Sequence, residues 1–344
     1  MCSAITRRIS RRLGIRYDTW LRRDMILFSA KKSAVHDMHL DAVEAYATQS
    51  GVSVSGRIHG LGALWGLLTS RDRVMFSQST GVASLIVLPL ARIKGVTIIH
   101  YMHEPTSLRL KLRENPPVKS VIWHAVQWLE VRCATRVLVS RPALLDQAAD
   151  VYRVPPSRVS VAPLLMPEIA QPDGQAVKAR VTYLGRIDAR RYFQEFLAAA
   201  PALKARGYIP TILTGDVDGV KKHAPQVPDD IELFAEPNFS EALKARVLGE
   251  TLALWNPKRG NIAQSGVTAD AVRYGVAVLL TDKDPSYETL RAGGIALDFP
   301  TAADCAFRCL DDVDAEGVTA RAAQVFSAEH GRDAFEKTYL SLLT

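Results

Sequence analysis

The stretch Asn261 to Asp282, NIAQSGVTADAVRYGVAVLLTD, decides how the chain is read. It divides into a loop, a short helix and a buried strand. Gln264-Ser265-Gly266 is small and polar, so its backbone N–H groups can approach a ligand closely. Thr268 to Tyr274 has helical spacing, with Ala271 and Val272 apolar and Asp270 near its start. Gly275 is placed to end that helix, and Val276 to Leu280 is an apolar run of strand length. First-turn N–H groups have no acceptor within their own helix, which makes a loop feeding such a turn a ready anion site. Asp270, one turn in, could accept hydrogen bonds from ribose hydroxyls. The same residues equally suit an ordinary loop–helix–strand unit of a doubly wound sheet that holds no ligand.

The flanking sequence repeats the pattern. Met25–Phe28, Val52–Ile58, Val74–Ser77 and Val96–Tyr101 read as strands, with helices over 36–48, Leu61–Leu68 and Val82–Ile93 between them. A helix over Val118–Val131 and strands over 136–140 and 158–162 follow. Strand–helix alternation predicts a parallel sheet with helices on both faces, and ligands at the carboxyl ends of its strands. Lys31, Lys32, His103 and Glu104 fall at such ends. Ser107–Asn115 alternates basic and apolar residues, as a basic flap or a plain exposed loop would. Pro163 to Lys178 is rich in Pro, Asp and Gly without periodicity and reads as a linker. Beyond it the alternation restarts at Val181.

Two α/β domains are what 344 residues and 48% apolar content lead one to expect. The four cysteines, Cys2, Cys133, Cys305 and Cys309, form no CxxC or Cys/His cluster, so neither zinc nor a disulfide framework is expected and a reducing cytoplasm fits. No apolar run approaches the ~20 residues of a spanning helix, and no signal peptide is visible. The net charge is +7, and residues 1–23 hold seven arginines against one acid, so almost all of the excess is local. Ile5, Ile9 and Leu13 form an apolar stripe flanked by arginine pairs, followed by Trp20 and Leu21. That pattern fits a helix lying on an anionic membrane surface. A solvated arm, an RNA-binding arm and a transit peptide share its composition; no nucleic-acid partner is expected.

A third feature is Gly185-Arg186-Ile187-Asp188-Ala189-Arg190-Arg191, directly after the strand Val181–Leu184. Gly185 allows a tight turn, and Arg186 and Arg191 can grip one diphosphate together, because guanidinium forks match phosphate oxygens. Here the chain resembles the retaining GT-B glycosyltransferases of family 4. Tyr183 to Asp188 resembles that family's strand and GR(I/L) loop, with Arg191 where its Lys usually stands. Asn261 to Leu280 resembles its E-x7-E segment, and Ile99-His100-Tyr101-Met102-His103-Glu104-Pro105 resembles the HEP segment of the mannosyltransferases. The first Glu of E-x7-E falls on Ile262, the second on Asp270, and Ser29 to Ala34 replaces the usual glycine-rich loop.

The resemblance implies a GT-B architecture: α/β, with two Rossmann-like doubly wound domains and a cleft between them. On this reading residues 1–23 are the basic arm, 24–165 the acceptor-side domain, 166–178 the linker and 179–325 the nucleotide-sugar domain. A C-terminal helix, 326–344, could cross back to the N-terminal domain. The resemblance further implies catalytic roles for His103 and Glu104 and a donor site of Gly185, Arg186, Arg191, Gln264, Ser265, Gly266, Val267 and Asp270, with no metal or other cofactor. The implied activity is metal-independent, retaining transfer of a sugar from a nucleoside-diphosphate sugar, and the basic arm leads one to expect a lipid-linked saccharide acceptor in bacterial surface-polysaccharide assembly. The enzyme would be cytoplasmic and peripheral on the inner membrane face. A nucleotide-sugar epimerase and, given Ile262, a non-catalytic GT-B scaffold subunit are the alternatives.

Overall fold

The computed structural model describes residues 24–30, 34–69, 73–78, 81–103, 105, 112, 116–168, 177–187, 192–223, 226–257, 265–280, 287–298 and 307–343. The basic arm, Lys31, Lys32, Glu104, Arg191, Ile262, Gln264 and most of the Ser107–Asn115 segment lie outside them. Contacts divide the chain into two compact units. The first takes the chain to Leu138, Gln147–Ser160 and the segment from Phe335 onward; the second takes Val139–Asp146 and Val161–Ala334.

The first unit alternates β1 (Asp24–Ser29), α1 (Ala34–Gln49), β2 (Ser53–His59), α2 (Ala63–Thr69), β3 (Val74–Gln78), α3 (Ser84–Ile93), β4 (Thr97–Met102), α4 (Pro117–Cys133), β5 (Arg136–Val139), α5 (Ala143–Tyr152) and β6 (Val159–Val161). The sheet order is β2-β1-β3-β4-β5-β6, with β1 parallel to both β2 and β3. The chain therefore starts inside the sheet and turns back between β1 and β3. Helices cover both faces of such a sheet, so its inner strands are apolar runs rather than alternating ones. Met25–Phe28 and Val74–Phe76 are almost wholly buried.

The last described residues belong to this unit. Phe335 and Tyr339 are buried, and the Tyr339 hydroxyl lies 3.2 Å from His39 Nε2 on α1. His39 in turn meets Tyr101 edge-on, with ring centroids 4.4 Å apart. A perpendicular pair of this kind is favoured by the ring quadrupoles.

The second unit runs β7 (Arg180–Leu184), α6 (Phe193–Ala205), β8 (Ile209–Thr214), α7 (Val217–His223), β9 (Glu232–Ala235), α8 (Glu241–Gly249), β10 (Thr251–Trp255), α9 (Gly266–Arg273), β11 (Ala277–Leu280), α10 (Glu288–Ala292), β12 (Ala296–Asp298), α11 (Arg308–Asp311) and α12 (Ala315–Glu329). Its parallel sheet has the order β12-β11-β10-β7-β8-β9. Gly275 ends α9 as its sequence position implied. It stands at φ +62°, and the Val276 N–H reaches back to Ala271 O at 2.9 Å, closing a Schellman-type cap. A Cβ there would also meet Thr319 of α12 at 2.8 Å, so packing excludes a side chain as well.

His330, buried at the end of α12, holds Leu164 O through Nδ1 at 2.7 Å. Burial lowers its pKa from 6.5 to about 4, against the opposing pull of that carbonyl. Between those values the unfolded chain binds the extra proton, so stability must fall as pH drops through this window. We expect His330 to contribute up to about 3 kcal/mol of loss between pH 7 and 4. Urea unfolding at both pH values should show a smaller difference for His330→Gln than for the native chain; equal differences would refute the assignment.

Candidate functional site

In the second sheet the strand order reverses between β7 and β10. In open α/β sheets such a switch point leaves a crevice outside the carboxyl ends of the two strands, where ligands bind. The register pairs Tyr183 with Trp255, so the chain leaves β7 through Gly185-Arg186 beside the point where it leaves β10 through Asn256.

The β7 exit is a pinned turn. Gly185 has φ +101°, which a residue with a side chain rarely adopts. The Tyr183 hydroxyl donates to Arg186 O at 2.8 Å, and the Ile187 N–H donates to Asp216 Oδ2 at 3.2 Å. Asp216 follows β8 and also caps α7 through Gly219 N–H at 3.0 Å. With its backbone so held, Arg186 projects its side chain 80% exposed, its Nε 3.9 Å from Asp216 Oδ2. A guanidinium on a fixed stem at a sheet edge is free to turn onto an anion.

The β10 exit shapes the start of α9. Asn256 is buried, and its Nδ2 lies 3.4 Å from Ser265 Oγ and 3.3 Å from Thr268 Oγ1. Ser265 occupies the N-cap position, yet its side chain accepts no hydrogen bond from the first turn. Serine is a preferred cap because its oxygen satisfies one of those N–H groups. Here the hydroxyl is turned toward Asn256 instead, and the first-turn N–H groups of Gly266 and Val267 receive no cap from it. They stand at the positive end of the helix, where an anion is stabilised.

Asp270 is buried and paired: Lys244 Nζ of α8 lies 2.7 Å from Asp270 Oδ1, and both side chains are under 10% exposed. Next to them Arg273 Nη1 lies 2.8 Å from Glu241 Oε2, and Arg273 Nε donates to Pro167 O at 2.8 Å. Burial pushes the Asp270 carboxyl up from its ordinary value, against the pull of Lys244 and Arg273. This crossed pair of acids and bases fixes α9 against α8. A contact of Asp270 with a ribose would therefore involve its other oxygen.

The structure thus gathers Gly185, Arg186, Ser265, Gly266 and Val267 at one switch point and places Asp270 behind them in the α8–α9 interface. His103, partly buried, follows β4 at the carboxyl edge of the other sheet. Arg191, Gln264 and Glu104 are outside the described residues. Sequence reasoning missed Asn256, Asp216, Thr268 and Lys244. Asp216 was findable, since Asp directly before an apolar residue, here Val217, is a helix-start signature.

No protein-family model matches the chain, and no curated protein matches it by sequence. Solved structures do. Anabaena HepE in complex with UDP-glucose superposes with a TM-score of 0.66 at 14% identity, over 93% of this chain and 99% of that one. Sucrose-phosphate synthase from Thermosynechococcus elongatus gives 0.67 at 12% identity, over 93% and 98%. A glycosyltransferase from Rickettsia africae gives 0.66 at 10% identity, over 94% and 98%. At such identities the likeness establishes architecture. The chain has the two-domain, Rossmann-like α/β fold of the GT-B glycosyltransferases.

Removing one member of a buried ion pair leaves the other charge stranded, typically at a cost of about 3–5 kcal/mol. Lys244→Met should therefore lower the unfolding free energy by about that much. Lys244→Met with Asp270→Leu should recover most of it in the same urea titration, and a double variant no more stable than the single one would show that the pair is not what holds these helices.

Proposed function

We propose that the chain is a glycosyltransferase that takes its sugar from a nucleoside-diphosphate donor. The observation that carries this reading is the β7/β10 switch point, where an exposed arginine on a pinned turn and an uncapped helix start meet at one sheet edge. Support comes from the fold shared with HepE, whose structure is in complex with UDP-glucose.

In this reading Arg186 and Arg191 hold the diphosphate, the N–H groups of Gly266 and Val267 hold its oxygens, and Asp270 reaches the ribose. Departure of the nucleoside diphosphate leaves an oxocarbenium-like sugar, as in glycoside chemistry generally. Charge grows on the leaving phosphate as the bond breaks, so donors already aimed at it stabilise the transition state more than the ground state. The departing phosphate takes the acceptor hydroxyl's proton, with retention at the anomeric carbon. On the resemblance in sequence, His103 and Glu104 take the catalytic roles. The resemblance in sequence supports metal independence and retention; no metal or other cofactor enters this scheme. The acceptor is a lipid-linked saccharide of bacterial surface-polysaccharide assembly, and the arginine-rich residues 1–23 hold the enzyme on the anionic inner face of the membrane.

Arg186→Ala combined with Arg191→Ala should reduce transfer from UDP- or GDP-sugars by at least about 10²-fold while leaving the melting temperature of the free protein unchanged. Undiminished turnover would overturn the site. Transfer to an added acceptor separates this reading from a scaffold, and an isomerised donor formed without acceptor would indicate an epimerase. Deleting residues 1–23 should weaken binding to vesicles containing phosphatidylglycerol, with the loss greatest at low salt; undiminished binding would remove the arm from the scheme.

A further inference from the structure

The outer helix layer of the first unit has an unusual surface. Fifteen large apolar side chains are exposed among the described residues, and twelve of them sit on α2, α3, α4 or the turns leading into α2 and α3. Trp65 on α2 is 76% exposed, Ile93 on α3 is 81% exposed and Val118 on α4 is 72% exposed. Leu68, Ile86 and Ile122 extend the same composition.

These residues share one face for a topological reason. The connections β2–α2–β3, β3–α3–β4 and β4–α4–β5 all advance in the same direction along the sheet. Right-handed crossovers then place all three helices on the same side, with α5 beyond α4 by the same rule, and α1, whose connection runs the other way, on the opposite one. Contacts agree, since α3 packs against both α2 and α4. The Lys94 ammonium after α3 donates to Leu67 O, tying the layer together. Val87, Leu88 and Ala91 of α3 point into the core, so Ile86 and Ile93 point out.

The charges on α2, α3 and α4 have one sign, and exposed acids, Asp146 and Asp150, begin only on α5 at the margin of the layer. Residues 60–69, 81–96 and 116–133 contain a single carboxylate, Glu130, which is fully buried. Arg92, Lys94, Lys119 and Arg132 are exposed on the same helices or their ends. The Arg132 guanidinium also lies 5.1 Å from the Trp128 ring centroid, so a cation and an amphipathic ring stand at one level. Among the described residues no helix is long and apolar enough to cross a membrane.

We propose that the α2–α3–α4 layer is a bilayer-docking surface for anionic lipid, separate from the basic arm. Isolated apolar residues are ordinary on a protein surface, but a contiguous patch marks an interaction site. Apolar side chains with a Trp, accompanied at α3 and α4 by Arg92, Lys94, Lys119 and Arg132 and by no exposed acid on those helices or α2, match the boundary between acyl chains and anionic headgroups. A second copy of this chain fits less well, because an isologous contact would set these cations against themselves. The inference deepens the membrane part of the proposed function but depends on neither the donor site nor residues 1–23.

The test is co-sedimentation of the full-length chain with vesicles of phosphatidylcholine plus phosphatidylglycerol and of phosphatidylcholine alone. Trp65→Glu with Ile93→Glu should reduce partitioning into the anionic vesicles at least tenfold, with melting temperature and donor-site activity toward a soluble acceptor unchanged. In native protein, lipids brominated on the acyl chain should quench tryptophan fluorescence, and Trp65→Phe should remove part of that quenching. Unchanged partitioning of a folded double variant overturns the proposal. So does a native dimer that the variant converts to monomer while vesicle binding persists, because the layer is then a subunit interface. Loss of binding on deletion of residues 1–23 with no effect of the double variant assigns the membrane contact to the arm alone.

Discussion

The second unit's ligand edge depends on where the Asn256 amide points. Serine at a helix start ordinarily closes the first turn with its own oxygen. In this chain Asn256 engages both Ser265 and Thr268, so the hydroxyl that would close the turn is held aside. The helix it opens is then fixed from the far end by Lys244 on Asp270 and Glu241 on Arg273. A helix start that its N-cap side chain leaves open, and whose helix is braced in this way, presents its dipole and N–H groups to an anion without rearrangement of α9 against α8. Asp216 does the corresponding work on the β7 side by holding both the Arg186 turn and the start of α7.

Much of this architecture was readable from sequence, for a definite reason. Strands buried on both faces must be apolar throughout, and Met25–Phe28 and Val276–Leu280 announce themselves that way. Gly185 and Gly275 were equally legible, since both sit where the chain must turn with positive φ. Contacts between helices were not legible. Lys244 and Asp270 lie on different helices, and no periodicity links them; Asp270 could be seen as an acid near a helix start but not as the partner of a buried ammonium. The same holds for Tyr339 and His39, whose pairing spans 300 positions. Helix α7, VDGVKKH, escaped because Gly219 interrupts its short apolar pattern and only its capping Asp216 marks it.

The two switch points differ in chemistry. In the first unit the loops after β1 and β3 approach so closely that a Cβ on Gly81 would meet Ala30 Cβ at 2.9 Å. The described groups at the ends of β1 and β3, Ser29, Ser77 and Gln78, are neutral. Both switch points have a helix start beside them, α3 in the first unit and α9 in the second, but the second also carries a permanent cation, Arg186. Among the described groups, Arg186 therefore makes the second edge the better anion site.

The outer layer of the first unit and its ligand edge are distinct surfaces of the same sheet. A helix layer covers a face, whereas ligands of a doubly wound sheet lie beyond the carboxyl ends of the strands. A bilayer contacting α2, α3 and α4 would therefore leave the end of β4, and His103 with it, uncovered. Had the apolar residues gathered instead around the strand ends, membrane contact and small-molecule access would compete for one surface. Their placement on the helix layer keeps the two surfaces separate, so that on the proposed reading docking of the layer would not block the strand ends.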